Sequence, residues 1–215
     1  MIKMEKRTIG LSFAFTAIMI IGRYVMVTKG IQPFPNFEII TVLTFLAVML
    51  LDERIAIIVP VTGMIVSDIL IGNPVYTGAE INKIVIFTYS GFAILVLINT
   101  FAKKKIEPYF TSISKRSVIS ILGIGVSFVL IYDVWTNIGW WYLFYPHTLQ
   151  GLTTVFALGL PFMVYHLASG VTTFLFIGLP TVTAVGSGLG SSVSDKLNYK
   201  IPALVTIVLI VLSFV

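Results

Sequence analysis

The chain has 215 residues, of which 57% are hydrophobic and 11% are charged, and its mean hydropathy is +1.01. Soluble domains carry about 25% charged residues, so this composition excludes an ordinary soluble domain and predicts an integral membrane protein. The chain contains no cysteine, which excludes disulfides, cysteine nucleophiles and thiolate-bound metals. Its formal net charge of +5 is explained more simply by membrane topology than by nucleic-acid binding.

Seven apolar runs follow one another along the chain. Each is a candidate transmembrane helix, because a helix of about 20 residues crosses roughly 30 Å of hydrocarbon. The first is not followed by a small-residue cleavage site, so we expect it to be retained. The second is short, the seventh is marginal in length, and the sixth contains Gly159 and Pro161, which can divide it into a short helix and a spanning one. The runs are Thr8–Thr28, Glu38–Leu51, Ile55–Gly72, Lys83–Ala102, Ser117–Asn137, Leu152–Leu179 and Ile201–Val215.

The distribution of basic residues predicts the orientation of these helices. If the amino terminus is cytoplasmic, Arg23, Lys29 and Lys83 fall on the outer side, and the other eleven of the fourteen Lys and Arg residues fall on the inner side. The positive-inside rule favours this arrangement. The stretch Gly186–Ser192 is then cytoplasmic, and we interpret it as part of a flexible linker because it lacks the lysine of a phosphate-binding loop.

Three charged residues lie in the outer halves of their predicted helices: Arg23 in the first, Asp68 in the third and Asp133 in the fifth. Charged groups in a membrane span usually face the bundle interior or an aqueous cavity, where they are paired or hydrated. Two acids and one base leave one charge over, which favours an outward-facing binding cavity over a purely structural staple. Whether Arg23 pairs with Asp68 or with Asp133 stays open. Polar residues near the outer helix ends are expected to join this cluster: Asn36, Glu38, Glu80, Asn82, Asn137 and His147.

The segment Asp133–Leu152, DVWTNIGWWYLFYPHTLQGL, concentrates aromatic and polar residues in an otherwise apolar chain. The aromatic side chains are either an interfacial belt, which is their usual role at this depth, or a surface that packs against a flat ligand. In the second interpretation Asn137 and His147 give the ligand its direction. The aromatic residues are Trp135, Trp140, Trp141, Tyr142 and Tyr145.

His166 lies deep in the sixth run, and the sequence places no second deep histidine or acid beside it. We therefore expect an interhelical hydrogen bond from His166 rather than a metal site. The chain has neither an HExxH motif nor a GxSxG motif, so no catalytic residue and no cofactor are predicted.

The first helix presents small residues, Gly10, Ala14 and Ala17, on one face near its beginning. Small residues let a second helix approach closely. This face is either an internal packing seam or, if it is exposed, a docking surface for another membrane subunit.

Four segments carry a family resemblance when they are taken in order. They are PNFEIITVLTFLAVMLL (Pro35–Leu51), IVPVTGMIVSDILIG (Ile58–Gly72), the aromatic segment Asp133–Leu152 and ALGLPF (Ala157–Phe162). Over roughly Arg23–Leu179 the chain resembles a prokaryotic membrane family of uncharacterised function that is related to the S components of energy-coupling factor (ECF) transporters.

The resemblance implies an all-α integral membrane protein with an S-component-like bundle of six transmembrane helices, which captures a vitamin or corrinoid-like micronutrient at its outer face. Gly10 and Ala14 would then dock on a transmembrane coupling subunit, and the segment Asp133–Leu152 would be the end of the fifth helix and an outer lid. The residues expected to bind substrate are Arg23, Asn36, Asp68, Asp133, Asn137, Trp141, Tyr145 and His147.

Three segments are expected along the chain. Residues 1–179 would form the transmembrane bundle, residues 180–200 a cytoplasmic linker, and residues 201–215 a seventh, C-terminal hydrophobic helix that departs from the six-helix pattern. Since the chain has no Walker motif, we expect partner ATPases rather than this chain to hydrolyse ATP.

Two other hypotheses stay open at this point. The chain is an accessory or assembly subunit of a larger membrane complex, or it is an intramembrane enzyme that uses Asp68, Asp133 and His147 as acid or base groups. The first predicts copurification with partners unrelated to transport, and the second predicts turnover that is lost when one acid is replaced.

Overall fold

The computed structural model describes residues 6–78 and 80–186, together with residues 206, 207, 210 and 214. The described part is almost entirely helical, and one two-stranded antiparallel hairpin, β1 (Tyr76–Thr77) with β2 (Glu80–Ile81), joins two of the helices. The α-helices are α1 (Lys6–Lys29), α2 (Ile40–Leu50), α3 (Glu53–Ala56), α4 (Ile58–Ile71), α5 (Lys83–Ile106), α6 (Lys115–Phe144), α7 (Leu149–Thr173) and α8 (Leu179–Gly186).

Five helical stretches of the described chain are long and apolar enough to cross a membrane. The prediction of an all-helical, multi-pass membrane protein is confirmed in this coarse form, while the cytoplasmic position of the amino terminus stays a prediction. The five stretches are Thr8–Lys29, Arg54–Ile71, Lys83–Phe110, Lys115–Phe144 and Leu149–Ala184.

The second predicted run forms a short helix, α2, at the centre of the bundle. Every residue from Ile40 to Met49 is buried, and α2 contacts α1, α4, α5, α6 and α7. At 1.5 Å per residue, its 11 residues extend about 16 Å, roughly half the thickness of the hydrocarbon layer. Because protein surrounds α2 on all sides, it needs neither the length nor the amphipathic pattern of a lipid-facing helix.

The ring of Phe45 lies at the centre of the core. It contacts the rings of Phe110, Phe128 and Phe174 at centroid distances of 6.2, 6.3 and 5.4 Å. These contacts tie α2 to α6 and to the segment that follows α7.

The helix after the aromatic segment does not divide at Pro161. Instead α7 continues through Pro161 to Thr173, and a π-helical segment, Phe174–Gly178, separates it from α8. Transmembrane helices tolerate proline where neighbouring groups satisfy the freed backbone carbonyl. The π-helical segment instead carries Phe174 into the core, where the side chain is fully buried. Helix α8 extends to Gly186, so part of the segment 180–200 that was expected to be a linker is helical.

The predicted seventh helix lies almost wholly outside the described residues. Of the segment 201–215, residues 206, 207, 210 and 214 are described. The hydroxyl of Thr206 donates a hydrogen bond to the carbonyl of Ala93 at 3.1 Å, and the ring of Phe214 lies 5.2 Å from that of Phe87. A seventh transmembrane helix therefore stays a prediction.

A pair of glycines on α6 provides a test of this packing. A Cβ atom at Gly125 would lie 2.8 Å from Cγ of the fully buried Phe174, whereas a Cβ atom at Gly123 would have no neighbour within 4 Å. Gly125→Leu is therefore expected to destabilise the protein by about 1–3 kcal/mol through overpacking. Gly123→Leu is the matched control and should leave the unfolding temperature nearly unchanged. Thermal unfolding in detergent measures both, and equal shifts would contradict the described packing.

Candidate functional site

A cavity of about 330 Å³ lies inside the bundle, at the end where α1 finishes and α2 begins. In the orientation predicted from the basic residues, this is the outer side of the membrane. Its wall combines charged, polar, aromatic and aliphatic side chains from α1, the α1–α2 connection, α2, α4, α5, α6 and α7. The lining residues are Arg23, Met26, Val27, Gln32, Asn36, Phe37, Glu38, Ile39, Ile40, Thr41, Met64, Thr88, Phe92, Val129, Tyr132, Asp133 and His166.

An ion pair between Arg23 and Asp68 forms one side of this site. Nη1 of Arg23 lies 2.6 Å from Oδ1 of Asp68 and donates a hydrogen bond to Oγ of Ser67 at 2.8 Å. The other carboxylate oxygen of Asp68 accepts a hydrogen bond from the hydroxyl of Tyr89 at 2.8 Å. Asp68 is 1% exposed and is not among the lining residues, so it contacts Arg23 on the side that faces away from the cavity. Asp68, and not Asp133, is thus the partner of Arg23.

A chain of amides connects Asp68 to the hairpin on the same side of the bundle. The side-chain amide of Asn73 donates to Oδ1 of Asp68 at 3.4 Å, and that of Asn82 donates to Oδ1 of Asn73 at 3.3 Å. Of the two residues expected in the outer cluster near this hairpin, Asn82 thus reaches Asp68 through Asn73, while Glu80 is exposed.

The second acid of the predicted cluster, Asp133, pairs with His166. Nδ1 of His166 lies 2.7 Å from Oδ1 of Asp133, which joins α6 to α7. The expected interhelical hydrogen bond of His166 is confirmed. The acid beside this histidine was not evident from the sequence, because the antiparallel packing of α6 and α7 brings Asp133 next to it. Both residues line the cavity, so His166 is a site residue that the sequence analysis left out.

Glu38 fixes the start of α2. One of its carboxylate oxygens accepts hydrogen bonds from the backbone amides of Ile40 and Thr41, and the other accepts from the Thr41 hydroxyl at 2.6 Å. The positive end of the helix dipole favours a carboxylate at this position. The Ser169 hydroxyl in α7 donates to the Glu38 carbonyl at 2.9 Å. Glu38 is therefore a preorganised part of the wall rather than a free side chain.

Tyr132 and its neighbours on α5 were not predicted from the sequence. The ring of Tyr132 packs on Phe92 at a centroid distance of 4.7 Å, and Thr88 lines the same cavity. One signal was available in the sequence, because Val129, Tyr132 and Asp133 are spaced i, i+3 and i+4 and so share the helix face that carries the acid.

The aromatic segment Asp133–Leu152 is arranged differently from the expected lid. Helix α6 runs through it to Phe144, and the next helix begins at Leu149. The indole of Trp141 donates to the carbonyl of Pro146 at 3.0 Å, and the ring of His147 stacks on Tyr142 at 5.2 Å. These aromatic groups therefore contact one another at the end of the α6–α7 hairpin.

Five of the eight predicted substrate residues are accordingly not among the lining residues, namely Asp68, Asn137, Trp141, Tyr145 and His147. Asn137 packs against Gly159 of α7, and Tyr145 is the C-cap residue directly after α6. The predicted substrate residues that do line the cavity are Arg23, Asn36 and Asp133. The α1–α2 connection contributes to the wall instead. It is held in part by a hydrogen bond from the Gln32 amide to the Phe37 carbonyl at 3.3 Å, and by Asn36 in a left-handed conformation with a φ of 56°.

The small-residue face of α1 is directed away from the bundle. Gly10 and Ala14 are both exposed, Ala17 is half-buried, and a Cβ atom added at Gly10 would have no neighbour within 4 Å. This face is therefore not an internal packing seam within the described part of the chain.

Replacing Asp68 tests the role of the buried ion pair. Asp68→Asn should lower the free energy of unfolding by about 3–5 kcal/mol, because it leaves the Arg23 charge without its counter-charge. Asp52→Asn is the matched control, since Asp52 pairs with Arg54 where the two side chains are 37% and 28% exposed. That change should cost at most about 1 kcal/mol. Thermal unfolding in detergent compares the two variants, and similar small losses would show that Asp68 does not hold this part of the bundle.

Comparison with known proteins assigns the chain to a family, but it identifies no relative whose activity is known. No match was found among curated proteins or among solved structures. A family model described as a family of unknown function, DUF6580, matches residues 3–186, which include every described helix and the whole cavity wall. The chain therefore belongs to this family of unknown function, DUF6580.

Proposed function

We propose that this chain is the substrate-binding membrane subunit of an ECF-type uptake transporter for a vitamin-sized micronutrient. The observation that carries the proposal is the cavity, because it places charged and aromatic side chains around one space inside an otherwise apolar bundle. Small-molecule sites have this composition, with mostly apolar walls and a few polar groups that fix orientation. The proposal is also supported by the four sequence segments that, taken in their order along the chain, resemble S components.

The size of the cavity favours a small substrate. Ligand sites in proteins have volumes of about 300–1,000 Å³, and about 330 Å³ lies at the lower end of that range. A molecule with one or two rings fits such a space, whereas a corrinoid macrocycle with its side chains does not. Among the substrate classes expected from the resemblance, we therefore favour a small vitamin or a related heterocycle over a corrinoid.

The proposed direction of loading follows from the position of the cavity along the helices. Arg23 lies near the end of α1, Glu38 precedes α2, and Asp133 lies in the second half of α6, which are all outer positions in the predicted orientation. The substrate would enter from outside, past the α1–α2 connection. By analogy with S components, the loaded subunit would then topple in the membrane to release the substrate inside.

The proposal requires a partner that supplies energy. The sequence contains no Walker motif, so ATP hydrolysis would be carried out by separate ATPases acting through a transmembrane coupling subunit. The exposed face with Gly10 and Ala14 supports such a partner, because small residues allow close helix contact within a membrane. The surrounding lipid would cover the remaining apolar exterior.

Native mass spectrometry of the protein, gently solubilised and purified from its own host, tests the binding site. We expect one retained small molecule per chain. Thr88→Phe fills part of the cavity and should abolish retention, whereas Thr154→Phe places the same ring on an exposed position of α7 and should preserve it. Thr88→Leu is the milder variant if Thr88→Phe does not fold. A chain that retains no small molecule and binds an unrelated membrane complex would instead favour an accessory subunit.

The docking surface is tested by a second pair of variants. Ala14→Leu adds bulk to the small-residue face of α1, and Ala157→Leu makes the same change at an exposed position of α7. We expect Ala14→Leu to reduce copurification of a coupling subunit at least tenfold, while leaving retention of the small molecule unchanged. Quantitative pull-down from host membranes measures this, and equal recovery with both variants would contradict docking through this face.

A further inference from the structure

The cavity wall carries an unbalanced negative charge. Glu38 and Asp133 line the cavity, and Asp68 lies directly behind Arg23. Among the described lining residues, Arg23 and His166 are the side chains that can be cationic. With His166 protonated, these three carboxylates exceed the two cations by one charge, and with His166 neutral the excess is two charges.

The backbone does not remove this excess. Glu38 accepts hydrogen bonds from the first amides of α2, and the positive end of a helix dipole is equivalent to about half an elementary charge. At least about half a negative charge remains when that contribution is subtracted from the smaller excess. Because the surroundings are apolar, water and salt screen this remainder much less than they would at a protein surface.

Asp133 shows where a hydrogen-bond donor is missing among the described residues. Its Oδ1 accepts the contact from His166, but its Oδ2 is buried and has no hydrogen-bond partner among the described residues. Buried carboxylate oxygens are normally paired, and the residue itself is 4% exposed. Since Asp133 belongs to the cavity wall, a donor on a bound molecule can satisfy this carboxylate after a small rotation of its terminal torsion, which is broad for aspartate.

A metal ion is a poor fit for this role. Within residues 6–78 and 80–186, no group of three His, Asp or Glu side chains is placed to hold one. Both carboxylate oxygens of Glu38 are already occupied by Thr41 and the α2 amides. The walls next to the acids are aromatic instead, formed by Phe37, Phe92 and Tyr132. Aromatic faces attract organic cations and pack against flat rings.

We infer that the cavity selects an organic monocation with a flat apolar body, whose N–H group donates a hydrogen bond to Asp133. The inference rests on the proposed function, because it names the substrate class of the same site. A protonated amine or a cationic heterocycle carrying an N–H group meets these requirements. The aromatic walls pack against its ring, and its positive charge offsets the excess negative charge of Glu38, Asp68 and Asp133.

Three indole compounds that differ mainly in charge provide the test: tryptamine is a cation, tryptophol is neutral and indole-3-acetate is an anion. Binding to the purified full-length protein in lipid nanodiscs is measured by isothermal titration calorimetry. We expect tryptamine to bind at least tenfold more tightly than either of the other two. Asp133→Asn should reduce this preference to less than threefold. Glu80→Gln is the matched control, because it removes one negative charge at an exposed position on the same side and should keep the preference.

The inference would be overturned by any of four results. On the unaltered chain these are equal affinities for the three compounds, a preference for indole-3-acetate, or no binding of any of them. The fourth is an unchanged preference for tryptamine in Asp133→Asn. The comparison on the unaltered chain remains decisive if Asp133→Asn does not fold. The molecule retained in native mass spectrometry separates the two proposals. A neutral or anionic vitamin would leave the transport proposal standing and refute the cationic substrate class, whereas an empty chain that binds no indole would refute both.

Discussion

The buried ion pair between Arg23 and Asp68 is the interaction on which the cavity-containing end of this bundle depends. Lipid cannot solvate either charge, so α1 and α4 must meet where the two residues face each other. Ser67, Tyr89 and Asn73 complete the hydrogen bonds of the pair and extend the polar layer to α5 and the hairpin. With Asp68 held behind it, Arg23 forms part of the cavity wall without leaving an unpaired charge.

The short helix α2 explains why there is space for a cavity at this depth. Its 11 residues extend about 16 Å, so the α1–α2 connection has to descend into the bundle to reach Ile40. That connection carries Glu38, which caps α2 and is bonded to Ser169 of α7. The cavity lies beside this junction, between the end of α1 and the face of α6 that carries Val129, Tyr132 and Asp133. A full-length second helix would occupy the same volume with apolar side chains.

Hydropathy was sufficient to predict the long helices, because the need to cross a lipid layer is encoded in the length of each apolar run. Intramembrane charge also identified Arg23 and Asp133 as neighbours of one cavity. The sequence does not predict the rotation of the helices about their axes, which decides which side chains face the cavity. The aromatic segment beyond Asp133 was favoured as a lid, yet its residues pack on one another. His166 was set aside because its partner is distant in sequence. The sixth predicted run is interrupted at Phe174, whose side chain packs in the core, and not at Pro161.

A density map of the protein purified from its own host, at a resolution that separates side chains, tests the central claim most directly. The account predicts non-protein density of one or two rings in the cavity between Phe92, Tyr132 and Asp133, with a polar end next to the Asp133 carboxylate. A cavity that holds ordered water alone, or that has closed so that Arg23 and Asp133 contact each other directly, would contradict a small-molecule site in this bundle.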